Sequence, residues 1–117
     1  MARDPLRDVV DAPLFIVPRV LESLHGYRAA PKLAQLANDE ERSRLAAALD
    51  AFGDRLLADI ERHPTTFWVM KQCQPALELA QGASREARQQ FRAELEPLLA
   101  LLGIRDANDV LYFYLSA

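Results

Sequence analysis

Cys73 and His63 are the residues of this sequence best suited by type to covalent chemistry. Both lie in the stretch RHPTTFWVMKQCQP (62–75), beside the only tryptophan, Trp68. A thiolate–imidazole pair would supply a nucleophile and its base, provided the thiol's pKa is lowered in an exposed, electropositive setting. The spacing argues for a different role. On a helix, Thr66, Met70, Cys73 and Leu77 fall along one stripe, so Cys73 reads as a core position, where a thiol behaves as a small hydrophobe. His63 precedes Pro64 at the end of a helix, where an imidazole can interact favourably with the macrodipole.

Other chemistries lack their spacing. The histidines, at 25 and 63, and the single cysteine form no HxxxH, HExxH or CxxC pattern. The glycines are isolated, so no phosphate-cradling loop is encoded, and Ser23, Ser43, Ser84 and Ser116 lack a GxSxG context. Glu94 and Glu96, like Asp50 and Asp54 one turn apart, read as solvated acids rather than a raised-pKa pair. The expectation is a protein that is not an enzyme and uses no metal or cofactor.

Two features point to binding instead. At about 100° per residue, Asp50, Asp54 and Glu61 fall within roughly 40° of one another and about 140° from the apolar stripe of their helix. Arg44, Arg55 and Arg62 form the adjacent basic row, and two such rows could orient a charged partner. Trp68, Pro75 and Leu79 lie nearly opposite the Met70/Cys73/Leu77 stripe, so this helix is either covered twice or shows an apolar patch. The closing segment VLYFYL (110–115) cannot turn Tyr112, Phe113 and Tyr114 inward together, which leaves an aromatic for an interface. The candidate protein interface is therefore Asp50, Asp54, Glu61, Trp68, Leu79, Tyr112 and Tyr114.

These residues need helices to position them, and the sequence is rich in helix formers. Alanine, leucine and arginine dominate. Asp4-Pro5, Pro18 and Pro31 each read as a helix opening, giving a proline-punctuated segment of short helices over 1–37 that wraps a main helical body over 38–117. Gly26 is expected to close the helix opened by Pro18. Asn38 followed by Glu41 has the spacing of a capping box. Leu45, Leu49, Phe52, Leu56 and Ile60 then mark an amphipathic helix that His63-Pro64 stops, and Gly53 within it allows a neighbouring helix to approach closely. Thr65 or Thr66 caps the next helix, which runs to Gly82 and is expected to kink at Pro75. Ser84 caps a third, with Phe91, Leu95, Leu98 and Leu102 on its core face and Pro97 bending it. Gly103-Ile104 has the form of a Schellman ending. The expected fold is all-α: a single-domain bundle of three main helices plus a short closing helix.

The 117 residues carry a net charge of −3, with 14 Lys and Arg against 17 Asp and Glu. Arginines alternate with acids along the chain and no basic cluster is visible, which argues against nucleic acid. No apolar run approaches the roughly 20 residues needed to cross a bilayer, and the N-terminus lacks a signal-peptide core. A lone cysteine suits a reducing compartment, so the expected location is cytoplasmic.

The C-terminal third, with Leu102-Gly103-Ile104 ending a long helix, then RDAND and Val110–Leu115, resembles a bacterial family known as domain of unknown function 4844. The family's usual closing glycine has no counterpart in Ser116-Ala117. The resemblance implies an all-α bacterial protein and brings no catalytic residues with it. The functional expectation is a non-enzymatic protein-binding module, within that class a toxin-neutralising immunity-type protein that masks a partner surface. The alternatives are a self-associating helical homodimer and, third, a small enzyme built on scattered acids or His63.

Overall fold

The computed structural model describes residues 11–105 and 107–116; the expected turn at Asp4-Pro5 lies outside them. Among these residues five helices follow one another: α1 Pro18–Ala29, α2 Asp39–Asp59, α3 Thr66–Gln81, α4 Arg85–Leu101 and α5 Asn108–Leu115. The fold is all-α. Among the described residues the only extended pairing is an isolated bridge between Pro13 and Thr65. It is held by Leu14 N–H donating to the Pro64 carbonyl and Thr66 N–H to that of Ala12. Among the described residues no helix is long and apolar enough to cross a membrane.

The helices share one core. Leu45, Leu49, Phe52, Leu56 and Ile60 from α2 and the turn after it are fully buried, as are Met70, Cys73 and Leu77 of α3 and Phe91 and Leu95 of α4. The molecule measures 37 × 36 × 18 Å, and its thin dimension is about two helix diameters, the thickness of a two-layer packing. α2 packs on α1, α3 and α4, while α5 closes over α3 and α4.

Caps set the boundaries largely as the sequence suggests. Pro18 opens α1. The side chains of Thr65 and Ser84 accept from Trp68 N–H and Ala87 N–H. Ile104 N–H donates to the Leu99 carbonyl and Gly103 N–H to that of Ala100, the two bonds of a Schellman ending. Gly103 has φ 86°, a conformation that costs any side chain-bearing residue and glycine nothing.

Three expectations need correction. Gly26 does not end α1, which runs through it to Ala29. α2 ends at Asp59, so Glu61 stands in the turn that follows rather than on the helix. Pro75 and Pro97 do sit inside α3 and α4, as expected. The segment after Pro31 is not helical. There Leu33 has φ 57°, incompatible with a right-handed turn, and six residues are too few to sustain a helix against competing tertiary contacts. Those contacts bury Leu33 and Leu36 in the core and direct Leu33 N–H to the Glu94 carboxylate at 3.2 Å.

Gly26 thus occupies a helix interior, is exposed, and would meet nothing within 4 Å if it carried a Cβ. Gly26→Ala should stabilise the protein by about 0.5–1 kcal/mol, because alanine loses less backbone freedom on folding. A higher urea midpoint at unchanged slope would show it.

Candidate functional site

Cys73 is buried without exposure, and its thiol is pushed up to about 12 by that burial, with Arg55 pulling weakly the other way. It is protonated at neutral pH and inert as a nucleophile. His63 stacks its ring on Trp68, with centroids 5.5 Å apart and planes 23° apart; among the described residues no hydrogen bond joins it to Cys73. Glu22 and His25 stand at Glu-x-x-His spacing on α1, a pattern associated with carboxylate metal sites in helical bundles. No group of three ligating side chains forms among the described residues.

The acidic row is largely used inside the molecule. Arg28 of α1 donates from Nε to Asp54 at 2.6 Å and lies 3.6 Å from Asp50. Lys32 donates to Asp50 at 3.0 Å. The Arg28 guanidinium is held more firmly charged, first by its hydrogen bond to Asp54. Asp50 and Asp54 therefore join α1 to α2, and only Glu61 remains fully outward. Gly53 lies beneath this joint: a Cβ there would contact the side chains of Arg28 and Tyr27 at 3.4 and 3.7 Å, so α1 does approach closely. The basic row is also drawn inward in part, since Arg55 donates to the Gln72 carbonyl at 2.7 Å.

The aromatic candidates separate as well. Trp68 is half-buried against the core and covered by His63, and Leu79 is 38% exposed. Tyr114 is buried, which removes it from a docking surface. Its hydroxyl accepts from Gln74 Nε2 at 3.3 Å, and its ring meets Phe113 edge-on. The tyrosine left outward is Tyr112, at 69%.

Tyr112 borders a groove of about 340 Å³ between α4 and α5 lined by Arg85, Arg88, Gln89, Arg92, Tyr112, Leu115 and Ser116. Three guanidinium groups from one helix thus line the same space, correcting the expectation that no basic cluster exists. Linear reading hides the cluster because Glu86 and uncharged residues interleave; the signal available was the i, i+3, i+7 spacing of 85, 88 and 92, which places them on one helical face. Arg92 pairs with Glu96, and Arg88 donates to the Ala83 carbonyl at 2.7 Å. The Arg88 Nε is buried without a hydrogen-bond partner, and Arg85 has no ion pair among the described residues. Arg85 and Arg88 lie in the first turn of α4, where the helix dipole disfavours positive charge.

Glu41 anchors that helix start. Its backbone N–H donates to Asn38 Oδ1 at 2.8 Å, as a capping box requires, but its carboxylate does not return to Asn38. It receives instead Ser84 N–H at 2.9 Å and the Ser84 hydroxyl at 2.7 Å, tying the start of α2 to the start of α4. These two bonds, the backbone one foremost, hold the Glu41 carboxyl below its ordinary range. A depressed carboxyl contributes stability that is present above its unfolded pKa, about 4.3, and is lost as pH falls through the folded value. Glu41→Gln should therefore be less stable than the parent near neutrality, and the difference should shrink as pH falls below the usual carboxylate range, as urea midpoints measured across that range would show.

Compared with family models, curated proteins and solved structures, the chain matches none; the resemblance of its C-terminal third rests on the residues quoted for it.

Proposed function

We propose that this chain is a non-enzymatic protein-binding module of the immunity type, acting in the bacterial cytoplasm by masking a partner's surface through the α4–α5 groove. The observation that carries the reading is Tyr112, 69% exposed at the edge of a groove with three arginines. Tyrosine and arginine are among the side chains most often found as interface anchors, and here an exposed aromatic stands beside Arg85 and Arg88, which have no carboxylate partner among the described residues. In this reading α2, α3 and α4 form the scaffold of one domain and α5 is the closing helix that completes its binding surface.

The test is site-specific capture in the native cytoplasm, with a photo-cross-linking residue in place of Tyr112 and, as a control on another face, in place of Glu61. A stoichiometric partner joined at position 112, and lost on Tyr112→Ala in a variant shown folded by circular dichroism, supports the proposal. Capture at position 61 alone would move the binding face to the α2 end. The second reading is a homodimer, favoured by Phe15 and Val17, which are 82% and 51% exposed on the segment before α1. Sedimentation at high protein concentration decides it, and a monomer there would exclude it.

A further inference from the structure

Resting on that reading, we infer that the occupant of the α4–α5 groove is an acidic segment of the partner protein. It presents two carboxylates to Arg85, Arg88 and Arg92 and lays an adjacent side chain on Tyr112. The charge balance around the groove points to this chemistry. The neighbouring acids are already engaged: Glu41 by Ser84, Glu86 by Gln90, and Glu96 by Arg92. Arg85 and Arg88 have no carboxylate partner among the described residues, and the positive end of α4 adds to their field. An arriving anion gains charge-assisted hydrogen bonds and relieves the mutual repulsion of the cluster.

Spacing defines the ligand further. With a rise of 1.5 Å per residue, Arg85 and Arg88 are offset by about 4.5 Å along the helix, and Arg88 and Arg92 by about 6 Å. Alternate residues of an extended strand repeat at about 6.6 Å, so acids at i and i+2 of an extended segment match the Arg88–Arg92 offset; Arg92 gives its Nε to Glu96 and keeps its Nη donors. A groove of about 340 Å³ accommodates a few side chains, not a long polyanion. Nucleic acid would in addition meet a chain with 17 acids against 14 bases, without the extended basic footprint that phosphate backbones select.

The experiment is an NMR titration of the full-length ¹⁵N-labelled protein. The probe is a capped 12-residue peptide of alternating glutamate and glycine with one central tyrosine, and its twin has every glutamate replaced by glutamine. Expected are shifts of the Arg85, Arg88 and Arg92 Nε–H signals and of Tyr112, roughly tenfold weaker binding in about 0.5 M salt, where exposed charges are screened, and little response to the twin. Arg85→Glu should weaken binding at least as much, with Arg85→Gln as the milder companion and both checked for folding. Equal response to both peptides, no response at millimolar peptide, or a stronger response at the same signals to inorganic phosphate or a thymidine oligonucleotide would each overturn the inference. If cross-linking at position 112 still captures a protein while the acidic peptide fails, the partner chemistry is wrong and the binding reading stands. If both fail, both fall.

Discussion

Phe91→Ala should cost about 3–5 kcal/mol, the range for removing a buried aromatic ring from a packed core, and should leave the protein largely unfolded at 37 °C if its stability lies at the low end of the usual 5–15 kcal/mol. Phe91 has no exposure and projects from the middle of α4, between Arg88 and Arg92 in sequence. One residue thus anchors to the core the helix that displays the basic groove. Phe91→Leu keeps most of the apolar volume and should cost considerably less, so the two variants separate cavity formation from loss of aromatic shape. Urea unfolding followed by circular dichroism measures both. A cost for Phe91→Ala below about 1 kcal/mol would mean that α4 does not pack as described. With Phe91→Leu folded, Tyr112-dependent capture of a partner should persist, because the groove needs the helix in place and not the ring itself.

The sequence discloses whatever obeys a helical period. The stripe Leu45, Leu49, Phe52, Leu56 and Ile60 and the stripe Met70, Cys73 and Leu77 are legible because burial repeats every 3.6 residues, and both are buried. The caps at Thr65, Ser84 and Gly103 are legible because they depend on four or five consecutive residues. What escapes is every arrangement made between distant elements. The Glu41 carboxylate chooses Ser84, 43 residues away, over its own helix end, and nothing near Glu41 encodes that choice. Asp50 and Asp54 look like a free acidic face until α1 lays Arg28 and Lys32 across them. The residues of the groove are individually unremarkable surface arginines on α4, and only the return of α5 beside them makes a concavity. Of the seven residues expected at the interface, Tyr112 lies in that groove, whereas Tyr114, two positions on, points into the core. This alternation reflects helical geometry: two residues apart on a helix is about 200°.

Lys32→Met should destabilise by about 2–4 kcal/mol although it replaces a charged residue with an apolar one of similar length at a buried position. The Lys32 side chain is 1% exposed, a rare setting for an ammonium group. It survives there because its three donors are spent: on the Tyr27 carbonyl, on the Ala30 carbonyl at 2.6 Å and on Asp50 at 3.0 Å, with the Tyr27 ring centroid 4.4 Å away. Tyr27 O belongs to the last turn of α1 and Ala30 O to the residue that caps it, so Lys32 folds back as a C-terminal cap. Removing it orphans partly buried acceptors at about 1–3 kcal/mol each. Asp50 suffers less, since Arg28 remains 3.6 Å from it and the carboxylate is one-third exposed. The added apolar surface of methionine offsets part of the loss, which is why the total stays below the sum of the orphaned groups. A second consequence separates capping from bulk stability. Leu33, at φ 57°, is held between the Lys32 anchor and the Glu94 carboxylate, so releasing Lys32 should let residues 30–37 open locally. Hydrogen exchange should then quicken at the Leu33 and Leu36 amides by more than the global loss accounts for, while the α3 amides follow the global change. If exchange rises uniformly across the molecule, Lys32 contributes to the core but does not fix the path of the chain between α1 and α2.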